Sequence, residues 1–534
     1  MAAILQGSTT TPPSQTTIGP LLRQLVSHHG PKPALRVPWQ NRTSTYTALD
    51  LASQTVARAL INSGAAAGDH IGILAGNRHE YLEIFLGAAR IGCAVVCLSC
   101  AYTVAEAENA LRGSVFVAGT IGNRDMGPAI EHVERLIHDK ESELKEVVVI
   151  GDESAQQTTY AQFLERASSS PISDTELRLL EDAVESTSPV LLQFTSGTTG
   201  NPKVSVLTSS GILNNGQYVG DRMQLTPNDT IVCPPPLFHT FGIVVGFLAS
   251  MTHGSSFVLP SDIFNAEAAV KATISCHGTA LLGVPTMFLA ELEWMKKHDQ
   301  WPSTLRTGII GGSIVSQSIM KRIKTEMGLG WMLIAYGTTE TSPISFLCSS
   351  KDNAEQRHGS VGRVLPNTAA KVVDPSGKTM QVGERGEICV SGHGLQKCYY
   401  RNPAKTEETM RKDEDGVEWF RTGDEGGENI YPAEIEEGLV SHSGVSEACV
   451  VGVKDEYYGE VVVAFLKGFA NVPRPSDQEL ALLIKTRLAR HKVPRHILWV
   501  GDADVVEDYP KTSSGKHQKH VLSTIAQGVI AARA

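Results

Sequence analysis

This chain has no excess of positive charge. Its 47 lysines and arginines face 57 aspartates and glutamates, a net charge of −10 over 534 residues. No basic field is available to hold nucleic acid or an anionic membrane, so an acidic small molecule would have to be held by local donors and a metal ion. Long hydrophobic runs are lacking too: the longest, Phe241 to Met251, is too short to span a bilayer. The first basic residue is Arg23, and the stretch from Met1 to Thr17 is rich in Ser, Thr, Pro and Gln. The expectation there is a loose tail, residues 1–17, with neither a secretory signal nor a transit peptide. The tripeptide Ala532-Arg533-Ala534 lacks the leucine of a Ser-Lys-Leu address. Nine cysteines are unevenly spaced and sit mostly in apolar runs, as reduced buried thiols do. Together these features favour an intracellular, cytoplasmic protein over a peroxisomal one.

One cysteine group needs separate weighing. Cys93, Cys97 and Cys100 have the CxxxCxxC spacing with which three thiolates can hold an iron–sulfur cluster. They also interrupt a strand-like Ala-Val-Val, and no barrel repeat follows, so they read better as small buried hydrophobes.

At 534 residues the chain is too long for one core, and two or more domains are expected. From Thr43 onward a short strand, a helix carrying Leu51, Val56, Ala59, Leu60 and Ile61, and a strand at His70-Ile71-Gly72-Ile73 begin an alternation that continues through Ile84 to Val96. That alternation marks an α/β layer architecture. The most telling stretch is Val190 to Lys203, where a buried-strand run ends at Phe194 and four hydroxyls, two glycines and a lysine follow. Glycines let backbone N–H groups approach phosphate oxygens, hydroxyls add donors, and Lys203 adds a mobile charge. No Gly-Lys-Ser/Thr ends the loop, and Val204 to Thr208 reads as a second strand, so it is the tip of a hairpin and not a Walker loop. Composition alone leaves an ordinary Ser/Thr/Gly turn open.

The word order narrows the choice. Thr-Ser-Gly-Thr-Thr-Gly-Asn-Pro-Lys, residues 195–203, resembles the signature of the adenylate-forming superfamily, and the resemblance runs from about Thr43 to Lys519. It implies an α/β fold with a large multi-subdomain α/β N-terminal domain, here 18–424, and a small α+β C-terminal domain, here 425–534. It implies ATP and CoA as co-substrates, Mg²⁺ as metal and a carboxylic acid as the partner to be activated. Thr195, Ser196, Gly197, Thr198, Thr199, Gly200 and Lys203 would then hold phosphate, with Thr195 close to the chemistry. Val204 and Ser209 stand where the family usually has glycine and histidine. Gly311, Gly312 and Ser313 would border the adenine. In Tyr336-Gly337-Thr338-Thr339-Glu340-Thr341 the tyrosine would stack on the purine, Thr338 or Thr339 bind phosphate, and Glu340 hold the metal. Asp424, in Trp419-Phe420-Arg421-Thr422-Gly423-Asp424, would accept both ribose hydroxyls. Residues 359–363, 386–392 and 397–400 would form a small barrel-like subdomain.

His239, in Pro-Pro-Pro-Leu-Phe-His-Thr-Phe-Gly, is by itself of a kind that is more often structural than functional; by resemblance it gates the acyl pocket. No carboxylate occurs between Ile231 and Gly254, where amino-acid-activating relatives place an aspartate, so an uncharged acyl tail is preferred. The flavour of the motifs is that of medium-chain acyl-CoA synthetases. In the last loop, Pro510 to Lys516, the resemblance makes Lys516 the adenylation lysine, while Lys511 and Lys519 read as solvated.

One expected segment is absent. Relatives continue from the ribose aspartate through two strands bearing an arginine and a hinge residue, but here Asp424-Glu425-Gly426 runs straight into Gly427-Glu428-Asn429. Two other readings therefore remain beside a CoA ligase: an adenylating enzyme that does not use CoA, and a nucleotide-binding pseudoenzyme crippled by the gap.

Overall fold

In a computed structural model of the chain, the described residues are 2–99, 110–111, 113–139, 143–151, 157–169, 172–195, 203–313, 315, 317–349, 352, 360–426, 432–455, 459–487, 493–512 and 517–533. Strands whose residues are buried on both faces build two large sheets. One has eight strands, in the order Thr158–Thr159, Leu144–Ile150, Gly113–Ala118, His70–Leu74, Ala94–Cys97, Pro189–Thr195, Lys203–Thr208 and Cys398–Tyr399. Its first six strands run parallel and the last two turn antiparallel. The other has nine strands, and its parallel centre includes Thr230–Val232, Ala280–Gly283, Thr307–Gly311 and Met332–Tyr336. Parallel strands need crossovers, and the helices that supply them cover the sheet faces. Helix Tyr46–Asn62 joins the edge strand Arg42–Thr45 of the nine-stranded sheet to His70–Leu74 of the eight-stranded one, and it is started by Thr45, whose hydroxyl accepts the Ala48 N–H at 3.1 Å. One continuous apolar core runs through both large sheets.

A third sheet is antiparallel: Ile4–Gln6, Thr368–Val373, Gly386–Gly392, Glu418–Gly426 and Met410–Lys412. Further along the chain, Val445–Asp455, Gly459–Gly468 and His496–Trp499 form a three-stranded sheet with a separate core on each side. Helix Lys519–Arg533 packs against it through Leu522, Ala526 and Val529.

Several expectations change. The tail is not loose: Ile4 to Gln6 pair with Lys371 to Ala369, and the Ser14 N–H donates to the Asn214 side chain at 2.7 Å. Leu51 is 56% exposed, because the buried stripe of its helix is set by Leu49, Ser53, Val56 and Leu60 instead. Cys398–Tyr399 does not join the small antiparallel sheet but pairs with the second arm of the hairpin. The strand through Asp424 extends to Gly426, opposite Gly386, so the antiparallel sheet reaches two residues past the expected boundary at 424. The final helix had no counterpart in the sequence reading.

The polar, Ser-rich sequence Gly151 to Glu185, which reads as a connector into the hairpin with a helix at its end, does end in one. Its helix Asp174–Ala183 begins with a capping box between Ser173 and Glu176, and its Glu181 is 2% exposed. Glu181 pairs with Arg90, which is 1% exposed and also pairs with Asp50; Arg23 closes the group on Glu181. Arg90→Ala leaves two carboxylates short of a buried partner and should cost about 3–5 kcal/mol, read as the loss of unfolding free energy in urea. The cysteine question has a plain answer at the two described positions. Cys93 and Cys97 are buried, and burial pushes both thiols up to about 12; Cys100 lies outside the described residues. At pH 8 the folded protein should leave Cys93 and Cys97 unalkylated by iodoacetamide, with both labelled after unfolding, as mass spectrometry of the peptides will show.

Candidate active site

The hairpin arms end side by side. Thr195 pairs with Lys203 in the register, so the loop between them begins and ends at one point. Ser196, Gly197, Thr198, Thr199 and Gly200 lie outside the described residues. Thr195 and Lys203 both line a cleft of about 600 Å³. The same cleft is lined by His239, by Gly337, Thr338, Thr339 and Glu340, and by Asp424. Elements far apart in the chain thus bring together most of the described residues singled out in the sequence.

The turn after strand Met332–Tyr336 is tightly built. A Cβ on Gly337 would lie 1.9 Å from the Pro343 carbonyl oxygen, so no other residue fits there without moving backbone. The Thr338 N–H donates to Thr341 Oγ1 at 3.3 Å, and Thr339–Thr341 forms one 3₁₀ turn. Thr338 Oγ1 is buried without a hydrogen-bond partner among the described residues. An unsatisfied buried hydroxyl is costly, and a phosphate oxygen would satisfy this one. Glu340 is only 8% exposed and accepts a hydrogen bond from the Tyr399 hydroxyl at 2.7 Å. Burial, and then the Glu340 charge, push the Tyr399 phenol well above its ordinary value, so it remains a donor.

Asp424 faces the same turn from the antiparallel sheet. Its Oδ2 accepts the Tyr336 hydroxyl at 2.8 Å, and its N–H donates to Thr422 Oγ1 at 3.0 Å. Tyr336 meets Phe346 edge-on, with ring centroids 5.8 Å apart. Burial, with the Asp424 carboxylate next, raises the Tyr336 phenol. Arg421 also lines the cleft but is held by Glu387, with Nε 2.7 Å from Oε2. That ion pair raises the guanidinium further, and Glu387 Oε1 accepts the Gly423 N–H at 3.0 Å. The turn carrying Asp424 is therefore anchored from beneath.

His239 stands on the opposite wall, its Nδ1 accepting the Phe241 N–H at 3.1 Å. That contact places the proton of the neutral ring on Nε2. Gln193, which sequence reading passed over, ties this wall to the hairpin: its Nε2 donates to the Phe238 carbonyl at 2.7 Å, while its buried Oε1 has no partner. Lys405 and Arg411 add positive charge to the cleft and were equally unforeseen. As cations in a polar stretch, they gave no signal.

Gly311, Gly312 and Ser313 end the strand beside Tyr336's own, with Gly311 opposite Ala335 and Gly312 at φ +80°. They do not line the cleft itself. Lys516 lies outside the described residues. Lys511 bridges to His517 across the terminal loop, and Thr512 lines the cleft. Lys511 and Lys519 are not simply solvated: Lys511 reaches Glu447 at 3.1 Å, and Lys519 reaches Glu436 at 2.7 Å and the Val450 carbonyl at 3.1 Å. Burial alone would raise Glu447, yet the His517 hydrogen bond and the Lys511 charge bring it below its ordinary value.

Comparison with known proteins agrees with this arrangement. The sequence profile of the AMP-binding enzymes matches residues 22–400, and that of the AMP-binding enzyme C-terminal domain matches residues 434–516. The acyl-CoA ligase sidI of Aspergillus fumigatus is 38% identical over 561 aligned positions, covering 100% of this chain and 95% of that protein. The alignment is longer than the chain, so at least 27 positions of the relative have no counterpart here. The mitochondrial medium-chain acyl-CoA ligase ACSF2 of Rattus norvegicus is 30% identical, over 97% of this chain and 89% of that protein. Among solved structures, the anthranilate CoA ligase AuaEII in complex with anthranoyl-AMP superposes with a TM-score of 0.82 at 23% identity, over 98% of this chain and 99% of that one. ATP-bound MatB from Rhodopseudomonas palustris gives 0.78 at 22% identity, over 96% and 100%. The fold is that of the adenylate-forming enzymes, and the chain belongs to the AMP-binding enzyme family.

Proposed function

We propose that the cleft between the hairpin, the Tyr336–Thr341 turn and Asp424 is where this chain performs the two half-reactions of its family. The activity is that of an AMP-forming acyl-CoA ligase, ATP-dependent activation of a carboxylic acid through an acyl-adenylate to its CoA thioester. In the first half-reaction a carboxylate oxygen bonds to the α-phosphorus of ATP and pyrophosphate leaves. In the second the CoA thiolate bonds to the acyl carbon and AMP leaves. The observation that carries the assignment is the convergence of Thr195, Lys203, Glu340 and Asp424 on one cleft.

On that reading each residue has a role. Thr338 Oγ1 donates to a phosphate oxygen, and Lys203 offsets phosphate charge from the base of the loop. Asp424 accepts the ribose hydroxyls, exchanging the Tyr336 hydroxyl for them, and Tyr336 offers its face to the purine. Glu340 accepts from Tyr399, and its second oxygen has no partner among the described residues, which fits a hard cation such as Mg²⁺. Bound there, the cation would neutralise charge on the phosphate oxygens. His239 borders the acid, and an uncharged tail is preferred over an amino acid's because the stretch from Ile231 to Gly254 offers no carboxylate for an ammonium group. The large domain supplies these groups, and the small C-terminal domain brings Lys516 to the α-phosphate. The matched relatives named as medium-chain acyl-CoA ligases support an aliphatic acid.

Lys516→Ala should abolish acid-dependent pyrophosphate exchange while ATP binding stays within about twofold; exchange at the parent rate would remove Lys516 from the reaction. His239→Ala should shift the preferred acid and leave the apparent affinity for ATP unchanged. The shortfall after Asp424 leads to a further expectation. Adenylation needs Lys516 in contact with the phosphate, and an error of about 1 Å can cost on the order of a hundredfold in rate. The chain as given should therefore turn over at least about tenfold more slowly than one with a family-length segment inserted between Asp424 and Gly427, compared in pyrophosphate exchange and CoA-thioester formation. Equal rates would show the short connection to be harmless.

A further inference from the structure

We propose that Tyr399 is a positioning residue for the cation site: its hydroxyl clamps one oxygen of Glu340 and so turns the other toward the cleft. The inference rests on the reading of Glu340 as the cation's carboxylate. Three observations converge on this tyrosine. Its hydroxyl donates to Glu340 Oε1 at 2.7 Å, with the tyrosine 3% and the glutamate 8% exposed. Its strand is hydrogen-bonded to the second arm of the hairpin, with Ser205 opposite Tyr399, the Tyr400 N–H on the Val204 carbonyl at 2.8 Å and the Lys397 N–H on the Val206 carbonyl at 2.8 Å. Its ring lies under Lys203, whose Nζ is 5.6 Å from the centroid. One side chain thus sets the distance between the phosphate-facing lysine and the carboxylate.

The connection on the glutamate side is equally short. The Gln396 N–H donates to the Glu340 carbonyl at 2.7 Å, so the backbone of the Tyr399 segment grips the backbone of Glu340 while the phenol grips its carboxylate. A glutamate has three rotatable bonds, and an unclamped carboxylate would spread over several rotamers. With Oε1 engaged and Oε2 without a partner among the described residues, a single orientation is favoured before any cation arrives. Tyr399 touches neither the nucleotide nor the acid in this reading; it acts through Glu340.

The test is a double-mutant cycle on the full-length protein, reading equilibrium binding of ATP with Mg²⁺ and with EDTA alongside the Mg²⁺ concentration for half-maximal pyrophosphate exchange. Tyr399→Phe keeps the ring under Lys203 and removes only the hydroxyl. It should raise the half-saturating Mg²⁺ concentration about tenfold and weaken Mg²⁺-dependent ATP binding in parallel, while ATP binding in EDTA and the thermal midpoint stay at parent values. In a Glu340→Gln background the same substitution should add less than about twofold, because the clamp then has no carboxylate to orient. Mg²⁺ behaviour unchanged in Tyr399→Phe, with Glu340→Gln impaired, overturns the inference and leaves the reading of Glu340 standing. Equal losses with and without Mg²⁺, or full additivity in the cycle, also overturn it, by making Tyr399 a packing residue. Parent Mg²⁺ behaviour in Glu340→Gln removes the reading of Glu340, and the inference with it.

Discussion

Hydrogen bonding along the two outer edges of the hairpin is the constraint on which the site depends. One arm, Pro189–Thr195, adds in parallel to Ala94–Cys97 and so continues the buried sheet; the other, Lys203–Thr208, accepts Cys398–Tyr399 on its free edge. A two-stranded ribbon alone is marginal in water, whereas one paired on both sides is held in register by every neighbour. That register places Thr195 and Lys203 at the same level. The second pairing also draws in a segment from nearly two hundred residues downstream, bringing the Glu340 turn with it.

Charge is handled locally. The molecule carries a net −10, yet its cleft mixes Lys203, Lys405, Arg411 and Arg421 with Glu340, Glu387, Glu408 and Asp424. Several of these are already spoken for, Arg421 by Glu387 and Lys405 by Glu408. Among the described residues, Thr338 Oγ1 is a buried hydroxyl left without a partner, in a place where burial makes it count for the nucleotide proposed above. In that proposal, directional donors in a fixed frame would select a triphosphate by shape, which a diffuse basic surface could not do.

Most of the fold was legible because strands buried on both faces and amphipathic helices leave strong periodic marks. The strands His70–Leu74, Pro189–Thr195 and Lys203–Thr208 stand close to where the sequence placed them. The site was legible only through word order, since neither Tyr336 nor Glu340 differs by composition from a residue in any polar turn. Partners were the hard part. A two-residue strand such as Cys398–Tyr399 carries no periodicity from which its sheet could be inferred, so the Tyr399 to Glu340 contact was out of reach. The pairing of Ile4–Gln6 was hidden for a related reason: an edge strand with Ile4 and Leu5 half exposed has no buried face to announce it. The lysines around the terminal loop were misjudged because their carboxylates, Glu436 and Glu447, lie some 65 to 85 residues away, as the separations in their hydrogen bonds show.

That first strand has a bearing on how the protein is made. Ile4 to Gln6 can form a sheet only with residues 369–371, so they leave the ribosome long before their partner exists. At roughly 5–20 residues per second the wait is on the order of twenty seconds to just over a minute. For that interval the amino terminus must stay unengaged while two large parallel sheets assemble behind it, and only then can it be stitched onto the antiparallel sheet that ends at Gly426. Its three-residue length, followed by Gly7 and the Ser-Thr-Thr-Thr-Pro-Pro run, keeps it a poor template for pairing with neighbouring nascent chains during the delay.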